Sequence, residues 1–335
     1  RMAADIQGGG ISRGLFVHIH NAERIMSWLL TVPAWGSKYI EQYLNVTLPA
    51  VNVALEHATG DIRFIVHTDK PEAFDRSAFR GSVEFRPIDV SKCYDANGHA
   101  NYDAIYKTYG HANRDALSSA REGEYVMLTG CDTIISREFF QACEHRFAQG
   151  YKCIFGTAPR TVAEPHEIPI GAASRELLDW SFSRRHPVTD GCFWGKGCNT
   201  IAWAIYFEGP RGIVCRSFHL PPFAVVADRP LWFHGTTVDI DLVERFKFEE
   251  LFVITDPDEC SFAEISDNSK SVVQGAPLCQ DSVVSWAMQA ASPWHCHLFR
   301  SRIVIQGTSE DNLDIEPCHA ILDEIHRRRG KKYEP

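Results

Sequence analysis

No two of the eleven cysteines stand in C-x-x-C spacing, and they are scattered from Cys93 to Cys318. That excludes the common zinc and thioredoxin signatures. An odd count, spread through apolar segments such as Lys152-Cys153-Ile154-Phe155, also argues against a disulfide framework. It implies reduced, mostly buried thiols and a cytoplasmic location. Long hydrophobic runs are missing as well. Ser27 to Val32 and Leu251 to Ile254 are strand-length, far below the ~20 apolar residues of a spanning helix, and no leader-like segment stands out. Basic residues are in deficit, 34 Lys and Arg against 43 Asp and Glu, for a net charge of −9. A general nucleic-acid binder needs the opposite balance. The one dense basic run, His326 to Lys332, reads as a solvated helix end, with contact to an anionic membrane or an acidic partner as the alternative. Nor is there a phosphate loop, because Gly8-Gly9-Gly10 follows no strand and precedes no Walker lysine.

What is present is ordinary globular material, 44% hydrophobic and 23% charged over 335 residues. The first fourteen residues are flexible by composition. Regular pattern begins at Trp28 to Val32, an apolar run stopped by Pro33, as in a buried parallel strand. A helical period runs from Gly36 to about Glu56, with a kink or break at Pro49. Strands follow at Ile62 to His67 and Ser82 to Ile88. A long helix spans Asn101 to Arg121, with Tyr102, Ile105, Tyr109 and Leu117 on one side. The clearest central strand is Tyr125 to Thr129, and a helix capped by Ser136 runs to about Phe147. Another strand covers Tyr151 to Gly156. Alternation at these intervals predicts an α/β fold with a mostly parallel sheet and helices on both faces. After Glu259 the pattern is mainly helical, so the chain divides into 1–14, an α/β domain over 15–260, and a helical region over 261–335.

Parallel sheets bind ligands beyond the carboxyl ends of their strands. The polar groups predicted there are Thr31, Thr68, Asp69 and Asp132. Asp132 is the leading candidate, although a strand-terminal Asp can equally cap a following helix. Two histidines with metal-like spacing, His295 and His297, fall in a predicted helix where i and i+2 diverge, so packing explains them.

The order of these segments resembles bacterial GT-A-type, nucleotide-sugar-dependent glycosyltransferases. It runs from Thr31-Val32-Pro33-Ala34-Trp35-Gly36, through Asp132-Thr133-Ile134-Ile135-Ser136, to the turn Gly235-Thr236-Thr237-Val238-Asp239-Ile240-Asp241. The resemblance spans about residues 27 to 260 and implies a Rossmann-like GT-A sheet. Asp132 then stands for the D-x-D carboxylate that touches the ribose and holds a divalent cation, Mn²⁺ or Mg²⁺, on the diphosphate. Gly130 occupies the place of that motif's first acid. Thr31 and Pro33 would meet the base, Asp69 the base or ribose, and Tyr106, Lys107, His111 and Arg114 are the polar members of the preceding helix available to the donor pocket. His219 or His234 would complete the metal site.

An inverting transfer also needs a general base for the acceptor hydroxyl. Asp239 is the first choice and Glu164 the second, although Asp239 could instead cap a helix. Arg160 and Arg175 suit phosphate because guanidinium binds it bidentately. The expected partners are a nucleotide-sugar donor and a glycan, lipid-linked or protein acceptor. Rival readings are a silent GT-A-like nucleotide-binding scaffold, a nucleotidyltransferase, or an oxidoreductase. The last is weakened by Pro33-Ala34-Trp35-Gly36 standing where a glycine-rich loop belongs.

Overall fold

Strand β1 (Ser27–Pro33) is buried along almost its whole length and lies inside a seven-stranded sheet. The computed structural model describes residues 27–95, 99–196, 204–234, 238, 242–266, 277–308 and 310–330. On one side of β1 lie β2 (Asp61–Thr68) and β3 (Ser82–Pro87), both parallel. On the other lies β4 (Tyr125–Leu128), also parallel, so the chain reverses its direction of build between β1 and β4. That reversal opens a crevice at the carboxyl ends of these two strands. Beyond β4 the sheet continues through β10 (Pro222–Val226), β6 (Cys153–Phe155) and β11 (Leu251–Val253). Only β10 runs antiparallel to its neighbours. The sheet is thus α/β and mostly parallel, flanked by helices, as the sequence predicted.

The helical stretch after β1 carries its kink as a change of pitch. Helix α1 (Ser37–Gln42) passes into a π-helical turn, Tyr43–Thr47, and then into α2 (Leu48–Ala54). Pro49 has no N–H for the carbonyl four residues back, and a widened turn just before it absorbs the missing bond. Helix α3 (Tyr102–Ser118) starts at Asn101, whose side chain accepts the Ala104 N–H at 3.3 Å. Because α3 connects the parallel strands β3 and β4, its N-terminal turn stands at the carboxyl edge of the sheet.

Three departures from the sequence pattern matter for the site. Thr133-Ile134-Ile135 forms a strand, β5 (Thr133–Ile135), rather than a helical entry, and α4 begins only at Phe139 (Phe139–Ala148). Three buried β-branched side chains in a row suit a strand better than a first helical turn. Asp132 therefore caps no helix. Second, β5 joins β12 (Phe262–Ile265) and β7 (Arg160–Thr161) in a small sheet ordered β5-β12-β7. Third, β13 (Ile303–Gly307) joins β9 (Gly212–Ser217) and β8 (Ala204–Gly209) in another. The region beyond residue 260 thus contributes a strand to each minor sheet as well as the helices Gln280–Ala290, Pro293–Phe299 and Ile315–Arg329. It is woven into the main body rather than appended to it.

Candidate functional site

The turn between β4 and β5 is Thr129-Gly130-Cys131-Asp132, and hydrogen bonds hold it on every side. Thr129 N–H donates to the Thr31 carbonyl at 3.0 Å, tying the turn to the end of β1. Gly130 N–H reaches Thr133 Oγ1 at 3.1 Å, and Thr47 Oγ1 donates to the Cys131 carbonyl at 2.9 Å. The Ile265 N–H donates to the Asp132 carbonyl at 2.8 Å, which locks the turn to β12. A Cβ at position 130 would stand 2.4 Å from Asp132 Oδ1. The single carboxylate of the motif thus folds back over the position where a first acid would stand, and glycine leaves it that space.

The small sheet brings two more charged groups to this turn. Glu264 of β12 lies opposite Thr133 of β5, and Glu264 pairs in parallel with Arg160 of β7. Arg160 Nε donates to Glu264 Oε2 at 3.2 Å. Burial works against the guanidinium charge, but the Glu264 and Asp132 carboxylates outweigh it and raise its pKa above the usual arginine range. The guanidinium is thus bonded to one carboxylate and within electrostatic reach of the other, its charge fixed at every physiological pH.

The wall facing them is aromatic. Tyr102, Tyr106 and Tyr109 recur at i, i+4 and i+7 along α3, one stripe of the helix. Tyr39 of α1 joins them, its hydroxyl pushed up to about 12 by burial and then by the neighbouring Cys131, Tyr94, Asp132 and Tyr102. Burial, followed by the Asp132 charge, raises Tyr109 as well. Burial and Asp132 likewise push the Cys131 thiol well up, so it is no nucleophile. Tyr94 bonds the Trp35 side chain at the mouth of β1. Tyr39, Tyr94 and Tyr109 are therefore held neutral at physiological pH, and the wall as a whole offers ring faces and hydroxyls.

The residues expected from sequence fall unevenly around this centre. Thr31 is buried at the end of β1, and Pro33 closes that strand. Asp69 Oδ1 accepts the Gly36 N–H at 3.0 Å, joining the ends of β1 and β2 across a glycine at φ 72°. Lys107 is paired with Asp103 at 2.7 Å on the exposed side of α3. His111 follows it one turn later, so both lie on the helix face opposite the tyrosine stripe. The face of α3 turned towards Asp132 carries Tyr109, with Tyr102 and Tyr106 on the same stripe.

Glu164 is exposed beside the 3₁₀ turn Pro165–Glu167, its N–H bonded to Glu167 Oε2 at 3.0 Å. His219 is buried with its ring stacked on His295 at 4.2 Å and edge-on to Trp286 at 5.0 Å. His234 is exposed against the Trp232 ring at 4.4 Å. Among the described residues no three His, Cys, Asp or Glu side chains are placed to hold a metal, so Asp132, His219 and His234 do not assemble as a ligand triad. One carboxylate in the turn fits a hard cation whose other ligands are donor oxygens and water, not a protein-only cage. Asp239 and Asp241 lie outside the described residues. Arg175 pairs with Asp258 at 2.9 Å. It borders an open cleft of about 440 Å³ lined also by Thr255, Asp256 and Arg302, with Asp132 not among its walls.

Glu264 and Tyr94 are what sequence reasoning missed, and the sequence pattern marks Tyr102 only as part of one helix side. Glu264 sits in no motif and past the expected boundary at residue 260. Among the described residues, no helix is long and apolar enough to cross a membrane.

No protein-family model matches the chain, and no curated protein matches it. Among solved structures it is similar to S. aureus TarS, with 13% identity and a TM-score of 0.36. That likeness covers 92% of this chain and 44% of TarS, so the chain spans less than half of the structure it matches.

Proposed function

We propose that this chain is a glycosyltransferase that moves a sugar from a nucleotide-sugar donor to a carbohydrate-type acceptor. The observation that carries the reading is the convergence of Asp132, Arg160 and Glu264 beside the β1–β4 crevice, at the carboxyl edge of a mostly parallel sheet. In this reading the base lies near Thr31, Pro33 and Asp69, and the diphosphate lies between Asp132 and Arg160. Transfer leaves negative charge on the departing diphosphate, and a fixed guanidinium beside it lowers the cost of that charge. Asp132 would hold Mg²⁺ or Mn²⁺, which supplies further electrostatic stabilisation when bound. Glu264 is the carboxylate best placed to orient or deprotonate an acceptor hydroxyl, and Asp239 remains the alternative base.

A thermal-shift series with UDP, GDP, CDP and CMP, with and without Mn²⁺, tests the reading beside Asp132→Ala. A nucleotide at 100 times its dissociation constant stabilises the native state by about 2.7 kcal/mol, a readily measured rise in melting temperature. The expected result is a metal-enhanced shift with one nucleotide family, lost in the variant. A shift that neither metal nor Asp132 influences would favour a silent nucleotide-binding protein. No shift with any nucleotide would sink the donor site.

A further inference from the structure

Seven large apolar side chains are conspicuously exposed among the described residues, and three of them are Tyr94, Tyr102 and Tyr106, at 37%, 56% and 45%. The other four, Ile170, Trp232, Leu313 and Ile315, come from other segments of the chain. Aromatic area left open to water on this scale calls for an occupant. Tyr102 and Tyr106 are one turn apart on α3 and share the face that leads down through Tyr109 towards Asp132. They stand at the N-terminal end of that helix, on the carboxyl edge of the sheet, so the rim they form is continuous with the crevice.

We propose that Tyr102 and Tyr106 form an acceptor subsite that stacks a pyranose ring, with the acceptor hydroxyl directed inward to the Arg160–Glu264 pair. This rests on the transferase reading above. Sugar rings carry a face of axial C–H groups with partial positive charge, which complements the negative face of an aromatic ring. Tyrosine adds a hydroxyl at the rim for the equatorial oxygens. A nucleobase would ask for something different. Small-molecule sites bury most of their ligand's surface, whereas Tyr102 and Tyr106 remain half open. The more enclosed aromatic groups, Tyr39 and Trp35, lie nearer the ends of β1 and β2, on the side given to the base. Tyr39 and Tyr109 thus form an inner set for the donor and Tyr102 and Tyr106 an outer pair for the acceptor, with Tyr94, exposed but bonded to Trp35, bordering the base side. Arg160 and Glu264, joined at 3.2 Å, supply one donor and one acceptor group for sugar hydroxyls beneath the outer pair.

The test is saturation-transfer NMR on the full chain, using methyl glycosides of glucose, galactose, mannose and N-acetylglucosamine together with cellotriose and chitotriose. Wild type is compared with the double variants Tyr102→Ala/Tyr106→Ala and Tyr102→Phe/Tyr106→Phe, with nucleotide thermal shifts recorded on the same samples. Both positions are exposed, so the variants should fold, and their melting temperatures confirm it. The expected result is saturation of one sugar's ring protons, reduced about tenfold in the alanine variant and retained in the phenylalanine variant, with the nucleotide shift unchanged. The proposal is overturned if no sugar is saturated, or if the alanine variant saturates it as strongly as wild type. It is equally overturned if the alanine variant loses the nucleotide shift, which would assign the tyrosines to the base. Absence of any nucleotide shift in wild type would strike the transferase reading instead, and the sugar measurements would stand apart from it.

Discussion

Thr47 Oγ1 donates to the Cys131 carbonyl at 2.9 Å, bridging the π-helical turn after α1 to the residue before Asp132. The irregular pitch forced by Pro49 thereby has a consequence at the site: the hydroxyl of a fully buried threonine reaches the turn that carries the only acid of the motif. Thr47→Val keeps the shape and removes the donor. Losing a buried hydrogen bond of this kind costs about 1 kcal/mol net, and more if the carbonyl is left without a partner. The expected outcome is a lower melting temperature together with weaker nucleotide binding. Loss of stability with unaltered nucleotide affinity would confine Thr47 to a structural role.

Restoring a second acid should not improve the site. Gly130→Asp would place its Cβ 2.4 Å from Asp132 Oδ1 in the present geometry, so one side chain must move. The new carboxylate would also repel the old one unless a cation sits between them. Nucleotide affinity in the absence of metal is expected to fall, and Gly130→Ala should reproduce the steric part of that loss. A metal-free gain in Gly130→Asp would show that Asp132 occupies some other rotamer in solution.

The parallel sheet was legible in the sequence because its strands are uninterrupted apolar runs ending in polar residues, as in Trp28 to Val32 and Tyr125 to Thr129. The direction of β10 was not, since strand pattern carries no polarity. The triplets Thr133-Ile134-Ile135 and Ile303-Val304-Ile305 are too short to show a period and were absorbed into neighbouring helical pattern. The site was half legible. Asp132 and Arg160 announced themselves by position and chemistry, and Glu264 met them only through the pairing of β12 with β5 and β7. The stripe on α3 carried a subtler ambiguity. Amphipathic spacing marks a face that leaves bulk water, whether that face meets the core or a cleft. Tyr109 is half-buried on that face, while Tyr102 and Tyr106 stay exposed.

His67 predicts the acid limb of the stability profile. It is buried at the end of β2, with Nε2 2.9 Å from Asp115 Oδ2, while Arg86 Nη1 approaches the same oxygen at 2.6 Å. Burial lowers the His67 pKa despite the pull of Asp115, with Arg86 and His111 adding to the depression. Burial lowers His297 in the same direction. A histidine held below its unfolded pKa costs nothing above that value. It destabilises the fold as pH drops from about 6.5 towards the folded pKa, because the unfolded chain binds the proton first. Melting temperature should therefore fall between about pH 7 and pH 5, and less steeply in His67→Asn. An identical slope in that variant would place the titration elsewhere.

Arg329 gives the C-terminal basic run a use that is neither membrane nor acidic partner. Its guanidinium donates to the Ala287 carbonyl at 2.9 Å and to the carbonyls of Met288 and Ala291, at the carboxyl end of the helix Gln280–Ala290. A cation there adds charge-assisted bonds to the last carbonyls of the helix, of which Ala287 also accepts the Ala291 N–H, and meets the negative end of its dipole. Arg327 and Arg328, by contrast, pair with Glu324 at the surface, where ion pairs contribute little. Arg329→Met should lower stability by roughly 1.5–3 kcal/mol, the worth of hydrogen bonds from a charged donor. Arg327→Ala should leave the melting temperature close to wild type. Were the two variants equally destabilised, the run would be acting through its net charge, and anionic vesicles added to the same melts would then raise the wild-type transition.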